Sequence, residues 1–462
     1  MRNPFVYARK LRVLTAIAAL FSVASISRAA GSKDPEIEKA VSEISAERIE
    51  KSIKTLVGFQ TRHTLSDTDD PKVGIGAARN WLKAELDRYA ADSGGRLQVA
   101  FDRFIQPETP PRIFQRVEIV NVVATLSGRQ AESKDRIYVV TAHYDSRASS
   151  VNDTESYAPG ADDDASGCAA VLELARVLSQ RELDATVVFL LVAAEEQGLQ
   201  GSHHWVEQAK AGGLNIAGVL NNDVIGSSTG EDGAATRNVV RLFAEGVPPM
   251  QTLPDAVFTQ MKTGGENDFA PRQLARAIKS AAEMYVPDFT VRVVYRRDRY
   301  LRGGDQNSFL DAGYPAVRLS EPAENFAHQH QDVEVEDGIQ YGDLPEYVDF
   351  NYVADVARVN AAALASLALA PASPVDVEVE TSRLENDTRL RWKANREPDL
   401  AGYRIVWRET TAPFWEHAID VGNVTEFTVK NISKDNVIFG VQALDTAGHV
   451  SPAVYPLPAR IR

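Results

Sequence analysis

The chain of 462 residues is poor in cysteine, in basic charge and in long apolar runs. Cys168 is its only cysteine, so no disulfide closes within the chain, and stability has to come from packing or bound metal. Lysine plus arginine number 50 against 64 aspartate plus glutamate, a formal charge of −14. No basic stripe interrupts that excess, which argues against a nucleic-acid partner. Several catalytic signatures are also missing. No G-x-S-x-G elbow joins a strand to a helix, which removes a serine hydrolase of that type. Neither H-E-x-x-H nor G-x-x-x-x-G-K-[ST] occurs, which removes helical one-zinc proteases and P-loop nucleotide enzymes.

What remains is an ordinary globular composition, 44 % hydrophobic and 25 % charged, enough to bury a core and to form more than one domain. Residues 1–29 read as a secretory signal peptide. Arg2, Arg9, Lys10 and Arg12 precede an apolar run from Val13 to Ala24, and Ser27 and Ala29 stand at −3 and −1 of a cleavage point. The run is shorter than the roughly 20 residues that span a bilayer. Export to the periplasm or the exterior, with no membrane span, is therefore expected. Cleavage leaves 45 basic against 64 acidic residues, a charge of −19, which favours cationic ligands or metal.

Apolar residues at helical spacing predict helices within 36–58 and 75–90, and short β-branched runs predict strands between 97 and 127. The pattern then changes. Short apolar runs at 136–142, 185–193, 216–220 and 316–319 are those of strands covered on both faces, and helical stretches at 167–180, 202–211, 271–286 and 350–369 separate or follow them. This alternation predicts an α/β domain over 36–370, with a mostly parallel central sheet flanked by helices. A linker rich in Ala, Pro and Ser (368–376) follows, and short alternating strands over 374–462 predict a small all-β sandwich. Its Trp392, Tyr403 and closing VQALDTAGHVS resemble a fibronectin type III domain.

In an open α/β sheet, ligands bind beyond the carboxyl ends of the strands. Here those positions are acidic or histidine: His143 and Asp145 in TAHYDS, Asp162, Asp163 and Asp164 in PGADDDASG, Glu195 and Glu196 in AAEEQG, and Asp223 in LNNDV. A later loop, NFAHQHQD, carries His328 and His330. Taken singly, each has a plain structural reading: a hydrogen-bonded histidine, a helix N-terminus rich in carboxylates, a solvated strand end. Taken together, they gather hard donors at one sheet edge, where unpaired burial is costly. A cation compensates them.

These residues resemble the co-catalytic zinc aminopeptidases of family M28 (clan MH), over about residues 40–370 and on the motifs HYD (143–145), PGADDDASG (159–167), AAEEQGLQGS (193–202) and NND (221–223). The resemblance implies two zinc ions per chain that share Asp163 and a bridging water. Glu196 and a late histidine complete one metal, and His143 and Asp223 complete the other. It implies Glu195 as general base, with Asp145 orienting His143. The family's H-T-x-x-D pattern favours His328, four residues before Asp332, with Gln329 at the usual threonine and His330 as the alternative.

The implied activity is removal of N-terminal amino acids from peptides with a free amino terminus. A glutaminyl cyclase, a carboxypeptidase and a non-catalytic binding protein are the alternatives on the same fold. Arg302, Gly303, Gly304 and Asp305 resemble a substrate-side loop, and Tyr295 and Tyr300 are expected near the pocket. The sequence does not fix an oligomeric state.

Overall fold

The computed structural model describes residues 33–460, so the signal peptide read at 1–29 lies outside the described residues. Three helices open the chain: α1 (Pro35–Ser42), α2 (Ala46–Val57) and α3 (Gly74–Asp92). The helical spacing over 36–58 is divided between the first two. Ser45 is extended, and its hydroxyl accepts from the Arg48 amide, so it caps a second helix where the first has ended.

Eight strands form one sheet in the order β1-β2-β4-β3-β5-β8-β6-β7. They are β1 (Leu97–Gln106), β2 (Val117–Leu126), β3 (Arg136–His143), β4 (Thr186–Val192), β5 (Asn215–Asn222), β6 (Val239–Ala244), β7 (Thr290–Val294) and β8 (Ala316–Ser320). The central β4-β3-β5-β8 block is parallel. It is flanked by an antiparallel β1-β2 pair on one side and by β6, antiparallel to β8, on the other. The sequence reading did not anticipate β6 and β7. They lie at the sheet's margin and carry Arg241 and Arg292, so they lack the continuous apolar run of the buried strands.

Six further helices follow: α4 (Ala165–Leu178), α5 (Gln200–Ala211), α6 (Asp255–Lys262), α7 (Ala270–Tyr285), α8 (Gln306–Asp311) and α9 (Phe350–Leu369). The first three helices pack with α4, α7 and α9 into the main apolar core. On the opposite face, α5 and α8 cover Val139, Val188, Leu190 and Val219. Helix α9 has the length and mean hydropathy (1.3) of a membrane span, yet 78 % of that window is buried inside the protein, so it serves as a core helix.

A ribbon of β9 (Val335–Glu336) and β10 (Ile339–Gln340) precedes α9. Beyond it come β11 (Val375–Glu380), β12 (Thr388–Lys393), β13 (Leu400–Glu409), β14 (His417–Gly422), β15 (Glu426–Val429), β16 (Val437–Asp445) and β17 (Leu457–Ala459). They form two sheets, β15-β12-β11-β17 and β14-β13-β16, around Leu390, Trp392, Tyr403, Trp407 and Phe439. Alternating burial along β12 places Thr388, Leu390 and Trp392 inward, the period of a strand with one solvated face.

The first turn of α4 rests directly on the end of β5. A methyl group on Gly167 would stand 2.4 Å from the carbonyl oxygen of Asn222 and 2.6 Å from both Asp164 carboxylate oxygens. Gly167→Ala is therefore expected to destabilise the protein by about 1–3 kcal/mol, as overpacking does. Urea unfolding measures this, and a wild-type midpoint would contradict the close approach.

Candidate metal centre

The parallel strands end in register: His143 pairs with Val192, Thr141 with Asn221, and Asn222 with Leu319. Residues at or just after these ends therefore share one edge of the sheet. His143 closes β3, Glu195 and Glu196 follow β4, and Asp223 follows β5. Asp163 arrives from the turn before α4, whose N-cap is Asp164. One Asp164 carboxylate oxygen accepts from the Gly167 amide at 3.0 Å and the other from the His143 amide at 3.1 Å. The Asp343 carboxylate accepts from the amides of Asp162 and Asp163, each at 2.8 Å. Asp164 and Asp343 thus shape the backbone around Asp163.

Two groups of potential ligands meet at Asp163: His143 with Asp223, and Glu196 with His330. Asp163 Oδ1 lies 3.0 Å from His143 Nε2, which is 4.0 Å from Asp223 Oδ1. Asp163 Oδ2 lies 2.9 Å from His330 Nε2, which is also 2.9 Å from Glu196 Oε1. In each group the donor atoms lie within 4.8 Å of one another. Glu196 Oε1 and His330 Nε2 are close but not aligned for a hydrogen bond, and both are buried without a partner. Such a pair fits a cation that both lone pairs face, and the N/O donor set suits zinc.

The structure corrects the preference for His328. His330 joins the cluster, with a left-handed φ of 54°, while the His328 ring stacks on Tyr347, centroids 3.6 Å apart. The H-T-x-x-D spacing misleads because Asp332 turns elsewhere: its carboxylate accepts from the Ser149 amide at 3.1 Å.

Asp145 is fully buried beneath these groups. Its carboxylate accepts from the amides of Glu195 (3.3 Å) and Glu196 (3.1 Å), and its Oδ1 lies 3.6 Å from His143 Nδ1. His143 Nδ1 donates to the Asp145 carbonyl at 3.2 Å, which leaves Nε2 as the nitrogen facing Asp163 and Asp223.

Electrostatics follow from this crowding. Burial raises Glu195 well above the usual carboxylate range, against the pull of His143 and with help from Asp223 and Glu196. Burial also raises Asp163, but the imidazoles of His143 and His330 that face it outweigh that and hold the carboxyl well below its ordinary value. Burial lowers His330, yet Glu196 and Asp163 lift it to about 11. His143 is raised well above its ordinary value against burial by Asp145 and Asp163.

Three residues around the centre, Arg318, Asp298 and Asp343, escaped the sequence reading, and a fourth, Gln329, entered it only as a departure from the family's threonine. Arg318, fully buried in β8, donates to Asp223 Oδ1 at 2.8 Å and to Asp298 Oδ2 at 3.2 Å. Gln329 Nε2 donates to Asp163 Oδ2 at 3.0 Å. A charged residue inside the apolar run AVRL was the available signal, since a buried guanidinium requires a carboxylate partner. Asp305 is buried with both carboxylate oxygens unpartnered, and burial pushes it up to about 7, opposed mainly by His143. Arg302 donates to Glu324 (2.8 Å) and Gln329 (2.9 Å). Tyr300 is exposed, and Tyr295 lies away from the cluster, against the C-terminal sandwich.

A model of peptidase family M28 matches residues 121–344. A probable zinc metalloprotease of Leptosphaeria maculans is 48 % identical over 425 residues, covering 92 % of this chain and 97 % of that protein. A probable zinc metalloprotease of Pyricularia oryzae is 48 % identical over 430 residues, covering 92 % and 85 %. Among solved structures, LapA of Legionella pneumophila shares the fold, with a TM-score of 0.51 and 20 % identity over 73 % of this chain and 79 % of that one.

His330→Ala is expected to lower bound zinc, measured by elemental analysis after dialysis, while His328→Ala keeps the wild-type content; the reverse outcome would restore His328. Because His143 and His330 hold protons above their ordinary range, a cation has to displace them. Zinc uptake by stripped protein should therefore release protons and tighten as pH rises. Calorimetry in buffers of different ionisation enthalpy reads that release, and uptake independent of pH would contradict it.

Proposed function

The chain belongs to peptidase family M28 and is a zinc metallopeptidase by that membership, and on this premise we propose that it is an exported aminopeptidase using two zinc ions per chain. The observation that carries the reading is the two-sided use of Asp163, one oxygen toward His143 and Asp223 and the other toward Glu196 and His330. When bound, such a metal pair acidifies water and stabilises negative charge at the substrate carbonyl.

The protein's own groups supply the rest. Glu195 is adjacent to Glu196 but belongs to neither ligand group, so its carboxylate is left to accept a proton from water and return it to the leaving amine. Its raised pKa in the metal-free chain suits a group that has to do both. Asp145 orients His143 and fixes the backbone of the glutamate pair.

Acidic surroundings favour a substrate ammonium group over a terminal carboxylate. Of the arginines at the centre, Arg318 is held by Asp223 and Asp298, Arg299 and Arg302 by Glu324, and Arg112 by the Glu196 carbonyl at 2.5 Å. This supports an amino-terminal rather than a carboxy-terminal peptidase. Export rests on the leader at 1–29, and the fibronectin type III likeness of the C-terminal sandwich stands as part of the same proposal.

Purified protein is expected to cleave leucine-nitroanilide and to leave its N-acetyl form intact. Glu195→Gln should retain the wild-type metal content and lose activity by about 10²–10⁴, the range for a general base. Hydrolysis of the acetylated substrate would reject the aminopeptidase reading, and unchanged turnover would reject the role of Glu195.

A further inference from the structure

The segment after β7 joins the metal centre to the C-terminal sandwich. At its start, the Tyr295 hydroxyl donates to the Pro413 carbonyl, 2.6 Å away in the loop between β13 and β14. Arg276 of α7 donates to the same carbonyl at 2.9 Å, and Trp415 Nε1 donates to Gln273 Oε1 at 3.3 Å. Behind them the buried Asp268 accepts from Arg276 at 3.0 Å and from Arg408 of β13 at 2.7 Å. The Arg276 guanidinium stands 5.8 Å from the Tyr295 ring centre and 5.5 Å from that of Trp415. The ion pairs of Asp268 with Arg276 and Arg408 are buried, while the Tyr295–Pro413 hydrogen bond that ties down the first residue of the segment is exposed at the rim of the junction.

The far end of the segment touches the proposed ligands. The Gly303 carbonyl accepts from Arg318 at 2.8 Å. A methyl group on Gly304 would stand 2.6 Å from Asp223 Oδ2, so the backbone lies directly against that carboxylate. Arg302 reaches Asp163 through Gln329, by contacts of 2.9 and 3.0 Å. Between the two ends Arg297 pairs with Glu245 and Asp311, Asp298 with Arg318, and Arg299 with Glu324, while Tyr300 is 80 % exposed and Leu301 has no cover at all, with a φ of 53°. An apolar tip is thus held out beside the centre by a segment without regular secondary structure.

We propose that the 410–416 loop of the sandwich positions segment 295–304 for substrate, with Tyr295 as the positioning residue and the Tyr300–Leu301 tip as the part that meets the peptide. This rests on the aminopeptidase reading and gives the C-terminal domain a part in substrate binding. A segment held at several points loses less freedom when a peptide docks, so the Tyr295 contact, as one of them, acts on binding and not on the bond-breaking step.

The test uses the full-length, zinc-loaded protein and Tyr295→Phe, which removes one donor and keeps the ring. KM for leucine-nitroanilide should rise about three- to tenfold, the size of one net hydrogen bond, with kcat held within about twofold. Amide hydrogen exchange over 299–304 should speed up by a similar factor while the sandwich core strands keep wild-type protection. Trp415→Phe, which removes the bond to Gln273 and shrinks the ring that faces Arg276 and Arg408, should move both readouts in the same direction. Unchanged KM and exchange would overturn the proposal. So would a fall in kcat accompanied by loss of zinc, which would assign the contact to general stability. Exchange needs no substrate, so it judges the Tyr295 contact even if the wild type fails to cleave the nitroanilide, an outcome that would strike only the functional reading.

Discussion

The carboxylate of Asp163 is 6 % exposed, meets an imidazole from each of its oxygens, and stands close to Asp162, Asp164, Glu196 and Asp223. An apolar interior does not hold that density of negative charge without compensation. His143 and His330 supply part of it, since the carboxylates around them lift both imidazoles above their ordinary value against burial. Two divalent ions between the same donors would provide it more fully and free both imidazoles to act as neutral ligands. Structure and proposed chemistry therefore share one electrostatic cause.

The fold divides the work of assembling this site. The parallel block delivers His143, Glu196 and Asp223 from strand ends whose register is fixed by hydrogen bonding over their whole length, the rigid part of the arrangement. Asp163 depends on the N-terminus of α4 and on the Asp343 carboxylate, and His330 depends on a loop pinned by Asp332 to Ser149. A second ionic network backs the first: Arg318 holds Asp223 and Asp298, and Arg299 and Arg302 converge on Glu324. This network engages Arg299, Arg302 and Arg318, the arginines beside Asp223 and Glu324.

Much of this was legible in the sequence wherever local pattern and chemistry coincide. The apolar runs of β3, β4 and β5 mark buried parallel strands, and the polar residues at their ends point at a shared edge, so His143, Glu195, Glu196 and Asp223 are found by reading along the chain. Asp163 is singled out among the three aspartates only by the family resemblance, and the close approach of Gly167 to Asn222 that follows it is a tertiary contact. The late histidine is different. His330 sits at a left-handed residue in a loop without regular structure, and the partner that suggested His328 bonds to Ser149 instead. Arg318 was hidden inside an apolar run, and Tyr295 makes its contact with a residue 118 positions away. Such placements are set by tertiary packing, which no local period encodes.

The most direct measurement is anomalous diffraction at the zinc edge from crystals of the zinc-loaded protein. Two peaks about 3.5–4 Å apart, one beside each carboxylate oxygen of Asp163, are expected. A single peak, or peaks placed away from that carboxylate, would contradict the shared-ligand centre on which the account depends.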